Sequence, residues 1–389
     1  MAHLIEPGAT LGVLGGGQLG KLFTAAAQRL GYRVTVWDPD PDAPALKAAD
    51  HPFPAPFSDP AALTQFSELA AAATYEWENV PVGLATVLEQ RIPLRPSSRI
   101  LGTLQNRFAQ KSFLHEQDFP VAAFRHVLSP EQLPDTADSL GYPCVCKTAT
   151  AGYDGKGQWR LANRDEAVEL AAQLARGTSG LQWIVEEWIG FEKELSVVVA
   201  RAGDGEFRTY PVSENTHENG ILITSRVPAR IPATLAAAAC ILAVSVIEAL
   251  DGIGVFCVEL FLAQGRFLIN EVAPRPHNSG HYTLDACTVS QFEQQVRALC
   301  GLPLGEIRLL SPAVMVNLIG EAFTHAMTGA ALHTVTAAPG SVLHVYGKRE
   351  VRPGRKMGHI TILREQADEA WEVATSFRSL LTATGTAKP

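Results

Sequence analysis

Residues 254–281 read GVFCVELFLAQGRFLINEVAPRPHNSGH. Two apolar runs, 254–262 and 266–272, flank the turn Ala263-Gln264-Gly265 and predict an antiparallel hairpin. Glu259 stands inside the first run, Asn270 and Glu271 inside the second. A carboxylate in a strand that otherwise looks buried needs an ion-pair partner or a cation. Apart from Arg266 near the turn, neither run carries a basic residue. Two carboxylates and an amide oxygen on neighbouring strands therefore point to a hard-oxygen site that suits Mg2+. An ordinary salt bridge is the plainer alternative. Directly behind the hairpin, Arg275, His277 and Asn278 sit among prolines in a rigid, donor-rich loop, which reads as an anion site beside the metal.

Working outward, Lys147 ends an apolar strand at 143–149, five residues before Gly152-Tyr153-Asp154-Gly155-Lys156-Gly157 and Gln158. A glycine-rich loop lets backbone N–H groups approach phosphate oxygens, and a nearby lysine adds charge. The lysine precedes the glycines, so this is not a Walker A loop; a hairpin turn with surface lysines is the alternative. Glu186-Glu187-Trp188-Ile189 closes a strand at 182–188 and Glu194 follows; such acids can also be a solvated rim. Toward the C-terminus, five basic residues lie within the nine positions 348–356, around a Pro353-Gly354 turn. They fit a pocket for a phosphate monoester, where arginine binds bidentately, or a solvated charge run.

The N-terminus offers a rival reading. Gly15-x-Gly17-x-x-Gly20 follows an apolar strand and opens a helical pattern, and Asp38 ends the next apolar run. That is a dinucleotide fingerprint. Nothing downstream resembles hydride chemistry, so the loop, with Gln18, reads instead as part of a substrate cradle, and Asp38 need not touch a ribose. Strands at 10–16, 33–37 and 73–75 alternate with helices at 18–31 and 60–72, which predicts a doubly wound parallel α/β domain with a loop at 39–60. The expected boundaries are 1–104 for this domain, 105–304 for a second α+β domain, and 305–389 for a small β-rich C-terminal domain.

At 47% apolar and 19% charged residues the chain can bury a large core. A net charge of −8 argues against nucleic acid as partner, while leaving room for a local basic pocket. Six cysteines without a C-x-x-C pair read as buried reduced thiols. The N-terminus shows no signal peptide. The most apolar stretch, 234–250, carries Glu248 and is bounded by Pro232 and Asp251-Gly252. It reads as a buried helix rather than a membrane span. A cytoplasmic protein without membrane partners is expected.

In order, the strand lysine, the GYDGKG loop, the acid-rich strand end and the E…NE hairpin resemble the ATP-grasp fold. GGGQLG (15–20), YEWENV (75–80), GYDGKGQ (152–158), NEVAPRPHNSGH (270–281) and EVRPGRKMGH (350–359) together resemble the 5-(carboxyamino)imidazole ribonucleotide synthases of purine biosynthesis, over about residues 10–363. The resemblance implies a two-lobed ATP-grasp domain between the other two. It implies that Arg107 and Lys147 contact ATP phosphates and that Gly152, Tyr153, Asp154, Gly155, Lys156, Gly157 and Gln158 close over them. Glu186 would accept from the adenine amino group, Glu187, Trp188 and Ile189 would frame the ring edge, Glu194 would hold the ribose, and His217 would reach the nucleotide. Glu259 and Glu271, with Asn270, would hold Mg2+.

The implied reaction joins bicarbonate to 5-aminoimidazole ribonucleotide through carboxyphosphate, at the expense of ATP. Arg275, His277 and Asn278 would hold bicarbonate and carboxyphosphate. Tyr153, Asp154 and Glu76 would line the imidazole side. Lys348 and Arg355 would bind the 5′-phosphate. The resemblance also implies a homodimer that hands its product to a mutase. Another ATP-grasp ligase or a formyl-phosphate-type purine transferase would share the ATP residues but differ at 275–281 and 348–359. The chain has Ala151-Gly152 where the family carries two glycines; alanine forbids few conformations, so at most an altered loop mobility is expected.

Overall fold

The computed structural model describes residues 4–150, 152, 157–177 and 181–382. Its first sheet holds β1 (Thr10–Leu14), β2 (Arg33–Trp37), β3 (His51–Phe53) and β4 (Ala72–Tyr75), all parallel, in the order β3-β2-β1-β4. Every residue of β1 is buried, as an unalternating apolar strand covered on both faces should be. Leu19, Phe23 and Ala27 of the helix Gln18–Arg29 pack on one face, and Phe66 of the helix Pro60–Leu69 on the other. The expected loop at 39–60 contains β3, which the apolar pattern missed because it is three residues long and includes Pro52. A proline is tolerated there because β3 is the sheet edge.

The second lobe is a four-stranded antiparallel sheet of β5 (Phe124–Val127), β6 (Cys144–Thr148), β7 (Gln158–Leu161) and β8 (Trp183–Glu187), in the order β5-β8-β6-β7. Alternation decides its two faces. Cys144, Cys146, Trp183 and Val185 enter the lobe's core with Leu133 and Leu170 from its helices. Lys147 and Glu186 stand on the opposite face, within reach of each other because Val145 pairs with Glu186 and Lys147 with Ile184.

The large sheet comprises β9 (Lys193–Arg201), β10 (Phe207–Thr209), β11 (Ser213–Glu218), β12 (Ile221–Val227), β13 (Gly254–Ala263), β14 (Arg266–Ala273), β15 (Ala313–Ile319), β16 (Ser341–Val345) and β17 (Lys356–Leu363). Its order is β14-β13-β9-β11-β12-β15-β17-β16, with β10 beside β9. The C-terminal strands thus continue this sheet through the β12–β15 pair. They keep a core of their own, in which Phe377 and Leu381 of the helix Ala367–Thr382 pack on Val314, Val316 and Ile360. The 346–355 connection between β16 and β17 is thereby held at the same sheet as the β13–β14 hairpin.

The helix Ala233–Leu250 lies on the large sheet through Ala239, Ala243, Val246, Ile247 and Leu250. Its other flank is open, with Ile241 at 68% exposure, so the expected buried helix is buried on one face only. Among the described residues it is the one helix long and apolar enough to cross a membrane, by length and composition.

Candidate active site

The helix Arg107–Glu116 organises the site. Asn106 ends the preceding helix and caps this one, its Oδ1 accepting from the N–H groups of Phe108 and Ala109. Three side chains then fasten the helix to β14. Arg107 Nη1 lies 2.8 Å from Glu271 Oε2. Gln110 donates to the Val272 carbonyl and accepts from its N–H, at 3.1 and 2.9 Å. Lys111 Nζ donates to the Ile269 carbonyl at 2.9 Å. One helix face is thereby aligned with one stretch of strand, and it carries two cations into the interior.

Those cations meet the second lobe at Glu186. Its Oε2 sits 2.9 Å from Lys147 Nζ and 3.5 Å from Lys111 Nζ. Burial alone would raise this carboxyl, but the two lysines, and Arg107 beyond them, bring it down to about 2. Burial pulls the Lys111 ammonium below its usual value, and Glu186 opposes that. Glu186 Oε1 is buried and has no hydrogen-bond partner, so an acceptor remains for an amino group. Sequence reasoning missed Lys111. Its spacing of one turn from Arg107 was the available signal.

The β13–β14 hairpin resolves a geometric problem. Strict alternation would send the adjacent residues Asn270 and Glu271 to opposite faces. The register runs Glu259↔Glu271 and then Leu260↔Ile269, leaving Asn270 as an extra residue in a β-bulge. Glu259, Asn270 and Glu271 all line the cavity as a result. Burial and the charge of Glu271 push the Glu259 carboxyl up to about 7. Burial also acts on Glu271, but Arg107 holds it below the usual carboxylate range. Asn270 Oδ1 is buried without a partner. An orphaned amide oxygen between two crowded carboxylates fits a hard divalent cation.

Behind the hairpin, Arg275 Nη2 lies 2.7 Å from Glu78 Oε1, a residue of YEWENV that sequence reasoning passed over. His277 Nδ1 accepts from the Ser279 N–H at 3.3 Å and meets Ser279 Oγ at 2.8 Å. This leaves Nε2 as the N–H side, 3.4 Å from Glu259 Oε1. Burial first, then Arg275, keeps this imidazole well below its usual pKa and hence neutral. The Asn278 amide is spent on Asn317 in a reciprocal pair, at 3.1 and 2.6 Å, so it braces the loop rather than offering a free donor. His217 Nδ1 meets the Glu194 carboxylate; burial lowers its pKa, and Glu194 and Glu259 together more than offset this.

The N-terminal glycine loop behaves differently from the expected cradle. Gly16 N–H donates to Asp38 Oδ2 at 2.5 Å, and Gly17 and Gly20 donate to the Glu76 carboxylate, the latter at 2.8 Å. The anion position at this helix N-terminus is filled by the chain's own acids. A Cβ on Gly17 would lie 2.4 Å from Glu76 Oε1, so the glycine is needed for this contact. The loop positions Glu76 and presents Gln18, and the N–H groups of Gly16, Gly17 and Gly20 are spent on the chain's own acids. From the basic segment, Lys348, Arg352, Arg355 and Lys356 line the cavity, while Arg349 turns out to Asp42 at 2.8 Å.

Every described site residue except Gly157 lines a single cavity of about 1220 Å³: Gln18, Glu76, Arg107, Lys147, Gly152, Gln158, Glu186, Glu187, Trp188, Ile189, Glu194, His217, Glu259, Asn270, Glu271, Arg275, His277, Asn278, Lys348 and Arg355. Gly157, at φ +71°, packs against Thr148 instead. Tyr153, Asp154, Gly155 and Lys156 lie outside the described residues, as does Ala151. Its lining sets the carboxylates Glu186, Glu259 and Glu271 and the cations Arg107, Lys147 and Arg275 alongside four basic residues of the 348–356 segment. The arrangement suits a polyphosphate bound with a divalent cation, facing a second, singly phosphorylated substrate.

Family models match residues 8–105 as a ribonucleotide synthetase preATP-grasp domain, 112–292 as an ATP-grasp domain, and 313–372 as a phosphoribosylaminoimidazole carboxylase C-terminal domain. The N5-carboxyaminoimidazole ribonucleotide synthase of Bacillus subtilis is 41% identical over 368 residues, 94% of each chain. A solved ADP complex of an N5-carboxyaminoimidazole ribonucleotide synthetase superimposes with a TM-score of 0.90 at 43% identity, covering 97% of this chain and 98% of that one. The Aspergillus clavatus synthase, solved with ADP and 5-aminoimidazole ribonucleotide, gives 0.83 at 31% identity, covering 96% and 98%.

Proposed function

The chain belongs to the N5-carboxyaminoimidazole ribonucleotide synthases, and from that premise we propose how its residues divide the work. The enzyme is an ATP-grasp ligase of purine biosynthesis: it uses ATP to carboxylate 5-aminoimidazole ribonucleotide, forming a carbon–nitrogen bond. The observation that carries the assignment of roles is the bulged hairpin, which turns Glu259, Asn270 and Glu271 toward Arg107 and Lys147 in one cavity.

Bicarbonate attacks the γ-phosphorus of ATP and ADP leaves, giving carboxyphosphate. Lys147 and Arg107 bind phosphate oxygens and stabilise the charge that builds there. Glu259 and Glu271, completed by the Asn270 oxygen, would hold Mg2+, which when bound would neutralise phosphoryl charge. Glu186 Oε1 accepts from the adenine amino group, the backbone of Glu187, Trp188 and Ile189 edges the ring, and Glu194 with His217 holds the ribose. Arg275, fixed by Glu78, and the Nε2–H of His277 hold bicarbonate and then carboxyphosphate, with Asn278 bracing their loop. Carboxyphosphate is short-lived in water, so a site that excludes water serves the chemistry. The amine of the ribonucleotide then takes the carboxyl group and phosphate leaves.

Glu76 lines the imidazole side of the second substrate, with Gln18 beside it. Lys348 and Arg355 bind its 5′-phosphate. Lys348→Ala and Arg355→Ala are expected to raise the ribonucleotide KM by about 10–100-fold while moving the ATP KM little. Steady-state kinetics with each substrate varied in turn checks this. Equal rises in both KM values would contradict the phosphate pocket. The reading also includes a cytoplasmic homodimer that passes its product to a mutase. The open apolar flank of the helix Ala233–Leu250, around Ile241, supports a second copy as partner.

A further inference from the structure

Three side chains outside the machinery described above converge beside the donor loop. They are Asp285 on the short helix Thr283–Ala286, His344 on β16 and His359 on β17. One ligating atom from each lies within 4.8 Å of the others. The register explains the meeting. His344 and His359 are direct cross-strand partners, so both rings stand on the same face, with centroids 4.4 Å apart. Asp285 reaches them from the helix, its Oδ2 2.9 Å from His344 Nε2.

His359 carries the decisive detail. It is fully buried, Tyr346 Oη lies 2.8 Å from its Nδ1, and its Nε2 has no hydrogen-bond partner. A buried polar atom left bare calls for a cause. A ring anchored by an outer partner at one nitrogen and free at the other is how a metal-ligating histidine is held.

We propose that Asp285, His344 and His359 form a binding site for a transition-metal dication of the zinc class, separate from the oxygen-rich Glu259–Asn270–Glu271 set. Two imidazoles and one carboxylate suit zinc, whereas Mg2+ prefers oxygen alone. Three protein ligands leave a fourth position for water. The buried Nε2 of His281, also without a partner, is available to that water from a ring 4.9 Å from His359. The ion would clamp the β16–β17 hairpin, and with it the 348–356 loop, to the helix that directly follows the donor loop. It would do so without taking part in phosphoryl transfer.

The test uses untagged full-length protein, equilibrated with Zn2+ and dialysed against metal-free buffer, with retained zinc measured by mass spectrometry. Wild type and Glu271→Gln are expected to retain about one zinc per chain, and Asp285→Asn and His344→Gln none, with far-UV circular dichroism unchanged. Should Asp285→Asn fail to fold, His344→Gln carries the test, since His344 is partly exposed. With Co2+ in place of zinc, the site should show the intense visible bands of a four-coordinate ion. Absence of zinc in the wild type would overturn the proposal. So would its retention by the folded Asp285 or His344 variants, and loss in Glu271→Gln would place the ion at the hairpin instead.

Discussion

Glu271→Gln is expected to lower ribonucleotide-dependent ATP turnover by about 10²–10³-fold, the size of loss that follows removal of one element of transition-state charge stabilisation. The side chain stands opposite Glu259 across the hairpin and 2.8 Å from Arg107. Glutamine keeps the volume and can still accept from Arg107. It removes the charge that, with Glu259, would hold a divalent cation. The fold should survive, because losing one of two crowded carboxylates relieves the repulsion that, after burial, helps push the Glu259 carboxyl up to about 7. The check is turnover measured across a range of Mg2+ concentration, alongside circular dichroism. Partial recovery at high Mg2+ would mark a weakened metal site. Near-normal turnover at ordinary Mg2+ would sink the assignment.

Lys147→Met is expected to lower kcat/KM for ATP by about 10²–10³-fold and to cost about 1–3 kcal/mol of stability. The two effects have different origins. Lys147 faces the cavity, so its charge is available to phosphate oxygens. It also pairs with the buried Glu186 at 2.9 Å, and that carboxylate would be left with Lys111 alone at 3.5 Å. Glu186 should then titrate above its present value of about 2. Lys111→Met separates the two effects. Lys111 bonds the Ile269 carbonyl and does not line the cavity, so its loss should lower the unfolding midpoint with a smaller change in the ATP kinetics. Equal kinetic losses in both variants would show that Lys147 acts only through packing.

What could be read from the sequence depended on how far apart the partners lie along the chain. The hairpin and its acids were legible because apolar runs, a tight turn and misplaced carboxylates sit within one short stretch. The bulge that turns Asn270 and Glu271 to the same side was not, since register is a property of two strands together. The glycine loop was visible as an anion cradle. Its occupants were not, because Glu76 lies 59 residues beyond Gly17 and nothing local announces the contact. The Lys147–Glu186–Lys111 group and the Glu78–Arg275 pair were hidden for the same reason: each joins separate lobes. Asn278 looked like a free donor until its partner, 39 residues on, came into view. The β-rich character of the C-terminal part was legible, but its junction with β12 follows only from the assembled sheet.

The most direct test of the account is phosphate release from Mg·ATP by the purified chain, with 5-aminoimidazole ribonucleotide and bicarbonate each supplied or withheld. The account predicts release that requires the ribonucleotide, depends on bicarbonate, and matches the ribonucleotide consumed. Release that is indifferent to the ribonucleotide, or that another amine or formate drives equally well, would contradict it.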